Sequence, residues 1–175
     1  APTVECKLVP GVSLELLSQV DAGELDSAII IRPPFDLPKE LHVQLLRKEP
    51  FVLIVPQTVK GDDPLQLLAA HPHVRYDRAS FGGRLVSRFL RDQRLDVQVA
   101  LELDEIEALV KMVECGLGVS LVPHAGLWLD RSPQVRVIPL GELTFYREII
   151  LLSLYSQRNL PVPQLFARCL LADVS

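Results

Sequence analysis

The hydrophobic positions change period repeatedly along the chain, and each change falls at a glycine, a proline or a capping residue. Val4, Cys6 and Leu8 alternate with other residues and predict a strand over Val4–Val9. Pro10-Gly11 turns the chain. Ser13 is placed to cap a helix running to about Ala22, with Leu14, Leu17 and Val20 on its apolar stripe. Gly23 stands where a left-handed C-cap belongs. The nearly continuous run Leu25 to Ile31 predicts a strand covered on both faces, as in a parallel sheet between helices, and Arg32-Pro33-Pro34 ends it. Leu41–Leu46 and Phe51–Val55 predict two further strands, the second stopped by Pro56.

Asp63-Pro64 predicts a helix start, with a carboxylate cap followed by proline at the first helical position, where no amide hydrogen is needed. That helix ends near His71-Pro72, and Val74–Tyr76 predicts a brief strand. Gly82–Arg91 reads as a helix with Leu85, Val86, Phe89 and Leu90 inward, and Val97–Leu103 alternates as a strand. Asp104 and Glu107 have capping-box spacing, opening a helix with Ile106, Leu109, Val110 and Val113 on one face. Further strands are predicted over Val119–Val122, Val135–Ile138 and Ile149–Tyr155. Helices are predicted over about Ala125–Leu129 and Val162–Ala172. Strands alternating with helices predict a layered α/β fold.

Composition narrows the function. The chain has 175 residues, 49% hydrophobic and 23% charged, which fits a globular protein with a real core. No apolar run approaches the roughly 18–20 residues needed to cross a bilayer. The net charge of −4 disfavours nucleic-acid binding by this chain, and Arg84, Arg88, Arg91 and Arg94 read as one solvated helix face and its exit. Cys6, Cys115 and Cys169 are too few and too scattered for a disulfide framework, so a reducing, cytoplasmic setting is expected. His42, His71, His73 and His124 lack metal-ligand spacing, and no G-x-S-x-G, P-loop or G-x-G-x-x-G occurs. The expectation is a binding protein rather than an enzyme, with no metal and no cofactor.

Four ordered segments carry a resemblance. They are Gly23-Glu24-Leu25-Asp26-Ser27-Ala28-Ile29, Glu49 through Pro56, Phe81-Gly82-Gly83-Arg84 leading into a helix ending Phe89-Leu90, and Val110 through Pro123 with its Cys115-Gly116-Leu117-Gly118 break. In this order they resemble the effector-binding domain of LysR-type transcriptional regulators. The resemblance implies two Rossmann-like lobes joined by two crossover strands, the type II periplasmic-binding-protein-like fold. Lobe I would comprise residues 1–56 and 137–175, and lobe II residues 57–136. Members of the family begin with a strand and helix that are not seen before Pro2-Thr3-Val4, and the helix-turn-helix DNA-binding domain is likewise absent. The function implied is sensing a small molecule between the lobes and controlling DNA binding through an oligomer. The alternative on the same fold is a solute-binding protein of a transport system.

Ligands of open α/β sheets bind at the carboxyl ends of strands, beside helix amino termini. Three such exits stand out: Arg32-Pro33, the loop Asp77 to Gly82, and Asp104. The resemblance turns these loops to the cleft. Ser80, Phe81 and Gly82 would offer a hydroxyl and amides to an organic acid or similar anion, with Arg32 and Arg78 adding charge. Each has a plainer alternative, a salt bridge for the arginines and a helix cap for Ser80 and Asp104. A carboxylate at Asp104 would repel an anion but accept from a ligand hydroxyl or amine. Pro123 follows the last strand of lobe II. The resemblance also implies a homodimer or tetramer pairing the helix carrying Leu14, Leu17 and Gln19 with the one carrying Arg84, Arg88 and Arg91.

Overall fold

Backbone pairing decides where the strands run, and two of them are long. In the computed structural model, which describes residues 4–131 and 133–172, the elements follow one another as helix α1 (Ser13–Asp21), strands β1 (Ser27–Ile31) and β2 (Leu41–Pro56), and helix α2 (Pro64–Ala70). Then come β3 (His73–Tyr76), α3 (Phe81–Asp92), β4 (Val99–Leu103), α4 (Ile106–Glu114) and β5 (Ser120–Pro123). A 3-10 turn at Leu127–Leu129 precedes β6 (Val135–Pro139), β7 (Tyr146–Leu154) and α5 (Pro161–Ala172).

The chain divides into two compact units, residues 1–48 with 148–175 and residues 49–147. The divisions fall inside β2 and β7, not at residues 56 and 137. Residues 137–139 lie in the second unit because β6 pairs antiparallel with the far half of β2, from Val52↔Pro139 to Pro56↔Val135.

In the first unit the strand order is β1-β7-β2. Ala28 and Ile30 of β1 pack with Ile150 and Leu152 of β7, Leu41 of β2, and Leu17 and Val20 of α1. Gly23 adopts φ +74, as a turn from helix into strand requires, and its amide donates to the Val20 carbonyl at 3.0 Å.

In the second unit, residues 51–56 of β2 lie between β5 and β6, antiparallel to both. β3 and β4 are parallel, and an isolated parallel bridge joins His73 to Val119 just ahead of β5. The larger core gathers here around Phe51, Leu53, Leu68, Leu109, Leu121 and Trp128. Burying such side chains contributes about 1.5–3 kcal/mol each.

Several expectations are corrected. Residues 4–12 form no strand: Val4 and Leu8 are exposed, and alternation without a pairing neighbour does not make a sheet. The β1 run is buried on one face only, with Ile29 exposed, and its partner β7 is antiparallel. The two strands predicted over 41–55 are one. Pairing continues through the polar Arg47-Lys48-Glu49-Pro50 stretch as β2 passes from one unit to the other. Ser13 does not cap α1; its hydroxyl accepts from the Ile31 amide at 3.2 Å, tying helix to strand. The N-cap of α4 is Glu105, without a side-chain bond, and not Asp104. Glu107 instead accepts from the Trp128 amide at 2.7 Å, so that carboxylate serves a tertiary contact. The helix expected over Ala125–Leu129 is only the 3-10 turn, and Val97 and Gln98 precede β4.

Candidate functional site

The parallel pair β3 and β4 sends two chain exits to the same edge of the second unit, because parallel neighbours end on the same side. After β3 the chain passes through Asp77, Arg78 and Ala79 to Ser80, the N-cap of α3. The Ser80 hydroxyl accepts from the Gly83 amide at 2.9 Å and donates to the Asp77 carbonyl at 2.8 Å. The Asp77 carboxylate in turn accepts from the Ala79 amide at 2.9 Å, so the loop is held by its own polar groups. Phe81, Gly82 and Gly83 are buried, and a Cβ on Gly82 would overlap the Tyr76 ring. Glycine there is a packing requirement as well as an opening to backbone.

After β4 comes Asp104. Burial raises its pKa, and the Asp77 carboxylate raises it further, whereas a hydrogen bond with the Ser80 hydroxyl works the other way. That hydroxyl has one proton for two acceptors, the Asp77 carbonyl and Asp104. Tyr76, at the end of β3, is 2% exposed. Burial pushes its phenol pKa up, opposed by Arg147, whose Nη1 donates to the Tyr76 oxygen at 3.3 Å. Arg147 is itself held by buried Glu49, Nε to Oε2 at 2.6 Å. The edge therefore gathers a hydroxyl, a carboxylate with weakened acidity and the first turn of a helix, with the buried Tyr76 phenol beneath them.

The structure brings Arg78, Ser80, Phe81, Gly82 and Asp104 together within this unit. Arg78 is committed: its Nη2 and Nε reach Glu102 at 2.8 and 3.2 Å, and its amide donates to the same carboxylate at 2.9 Å. These bonds hold the Glu102 carboxyl down to about 2. Arg32 is also paired, with Glu148, and lies with buried Pro33 in the first unit. Both arginines thus take the plainer alternative. Pro123 ends β5 opposite Phe51, and the following His124 amide donates to the Pro50 carbonyl at 2.7 Å. The His124 ring lies 5.7 Å from that of Trp128. Sequence reasoning missed Tyr76, Arg147 and Glu49. Tyr76 carried one signal, a phenol closing a strand at a candidate loop; Arg147 and Glu49 carried none, being 98 residues apart.

The whole chain, residues 1–175, matches the family model described as LysR substrate binding domain. The chain belongs to this family. It is 32% identical over 127 residues to the HTH-type transcriptional regulator IlvR of Caulobacter vibrioides, covering 70% of this chain and 43% of that regulator. It is 30% identical over 140 residues to the transcriptional activator IlvY of Salmonella typhimurium, covering 76% and 46% respectively. The LysR-family chain thus spans under half the length of these relatives, which are transcription regulators and not enzymes. Among solved structures it is similar to the effector-binding domain of QuiR in complex with shikimate. The TM-score is 0.77 at 20% identity, over 93% of this chain and 78% of that one. The cofactor-binding domain of the Cbl regulator superposes with a TM-score of 0.78 at 17% identity, over 95% and 75%. The fold is therefore that of LysR effector-binding domains, type II periplasmic-binding-protein-like. Among the described residues, no helix is long and apolar enough to cross a membrane.

Proposed function

We propose that this chain is the effector-sensing part of a longer LysR-type transcription regulator, with its two compact units as the two lobes of the family fold. It binds a small metabolite without turning it over. Kinship over most of the chain with transcription regulators, and not with transport proteins, carries this reading. The ligand end we assign is the β3–β4 edge. The first turn of α3 and the Ser80 hydroxyl meet an acidic group, and Asp104 accepts from a ligand hydroxyl. Local charge supports a hydroxylated organic acid over a simple anion: Asp104 and Asp77 would repel an anion lacking a donor for them, and Arg78 is already neutralised by Glu102.

Binding would be passed to a DNA-binding segment through a homodimer or tetramer pairing α1 with α3 of another copy. Leu14, half exposed, Gln19 and the exposed Arg84, Arg88 and Arg91 suit that contact. Leu17 drops out of it, because its side chain is in the core with Val20.

Thermal-shift screening of hydroxylated organic acids beside their deoxy analogues tests the assignment. The hydroxylated members should raise the melting temperature. Ser80→Ala should weaken a validated ligand by about tenfold, the worth of one hydrogen bond to a charged group. Stabilisation by amines alone, or unchanged affinity in Ser80→Ala, would move the site elsewhere.

A further inference from the structure

The first unit holds a cavity of about 410 Å³ between its sheet and α5. Its floor follows from strand alternation. On β1, β7 and β2 the residues Ala28, Ile30, Ile150, Leu152, Leu41 and Val43 belong to the core against α1. The alternate positions take the opposite face, and there the sequence sets Ser27, Ser153, His42 and Gln44 into the cavity lining. A sheet face beneath a helix is ordinarily apolar, since a polar group withdrawn from water needs a partner. This one is not. Ser27 and Ser153 are register partners on neighbouring strands, so two hydroxyls stand side by side, and neither has a hydrogen bond among the described residues.

The roof continues the theme. Of the 12 residues of α5 only Ala167 is buried, so the helix covers the sheet loosely, with Gln164, Arg168 and Leu171 lining the space. Arg158 and Asn159 line it from the segment that leads into α5. Arg158 is pre-positioned: its Nη1 donates to the Tyr155 carbonyl at 2.7 Å, and its guanidinium lies 3.7 Å over the Tyr155 ring. Arg168 has no ion pair among the described residues. Two guanidiniums thus border one space whose described lining holds no Asp or Glu, in a chain whose net charge is −4. An anion between them relieves their repulsion and satisfies the hydroxyls. Leu151, Ala167 and Leu171 offer an apolar wall. The volume falls in the range of small-molecule sites, about 300–1,000 Å³.

We propose that this cavity is a second ligand site, taking a small carboxylate with a short apolar body. Arg158 and Arg168 hold the carboxylate, while Ser27 and Ser153 donate to it or to a substituent beside it. Its lining comes from the first unit, whereas the loops assigned above belong to the second, so its occupancy is a separate input.

The test is a titration of the chain with sodium isocaproate, followed by amide NMR, with isocaproamide as the neutral isostere. Saturable shifts are expected at Ser27, Ser153 and residues 164–171. The amide should bind at least tenfold more weakly, and so should isocaproate to the Arg158→Gln, Arg168→Gln double variant. Thermal melts check that variant's fold, since Arg168 is exposed but Arg158 is half-buried against Tyr155. Each single variant gives the same reading with less loss if the double does not fold. Absence of saturable shifts at these residues, or equal binding by acid and amide, overturns the proposal. Shifts confined to Ser80–Gly83 and Asp104 also overturn it while supporting the sensing site proposed above. A longer form of the protein that folds well but no longer binds there, through cover by its own additional chain, overturns it too.

Discussion

A methyl group on Gly83 would overlap the Asp77 carbonyl, which makes this glycine a contact residue although it sits inside a helix. An alanine in an exposed helix interior gains about 1 kcal/mol over glycine. Here overpacking reverses the sign, and Gly83→Ala should lose roughly 1–3 kcal/mol in urea unfolding. His73 offers a second test at this scale. Its ring is fully buried, both nitrogens lack a partner among the described residues, and burial with nearby Arg75 lowers its pKa to about 4. The fold therefore favours the neutral imidazole. Above the unfolded value of about 6.5 that preference costs nothing; as pH falls from there toward 4 the unfolded chain takes the proton first and stability is lost. Between pH 7 and 5 the loss should be about 2 kcal/mol. His73→Leu should flatten that part of the stability profile, and an unchanged slope would assign the loss to another group.

At the scale of elements, sequence chemistry and structure agree best where the determinants are local. Asp63 caps α2 as its position before Pro64 predicts, with Oδ1 accepting from the Leu65 and Gln66 amides at 3.0 and 3.2 Å. Asp63→Ala should cost about 1 kcal/mol, visible as a lower melting temperature, while Asp63→Asn should restore most of it. Ser80 caps α3 in the same way, and the α4 stripe of Leu109, Val110 and Val113 is buried as its spacing requires. Elements that depend on a neighbour were less legible. Val4–Val9 has strand alternation and no strand, while Arg47-Lys48-Glu49-Pro50 has no strand signature and continues one. Asp104 has cap spacing, yet the N-cap of α4 is Glu105, and burial with the nearby Asp77 carboxylate raises the Asp104 pKa. A sequence window contains the caps but not the partner strands or the residues arriving from another loop.

On the scale of the whole molecule, the chain passes between the two units within β2 and β7, and the first and last residues of the second unit, Glu49 and Arg147, form an ion pair. Its side chains are only 3% and 14% exposed. Removing one member of such a pair is far costlier than replacing both. Arg147→Met should destabilise by about 3 kcal/mol, and adding Glu49→Leu should recover most of it. Equal instability of single and double variants in denaturant unfolding would show that the pair's worth is geometric. The same ion pair orients the guanidinium that meets Tyr76, so the single variant should also disturb the candidate ligand edge. By itself the sequence determined most of the alternation of elements, the caps at Asp63 and Ser80, and the family, because periodicity and capping act within a few residues. Only the tertiary structure decided that Arg32 and Arg78 are paired with carboxylates, that Leu17 faces the core, and that Arg147 links buried Glu49 to Tyr76 at the end of β3. It also decided that polar strand positions open into a cavity beneath α5. Those outcomes depend on which distant residues meet, and pairing across many residues of chain leaves no local pattern to read.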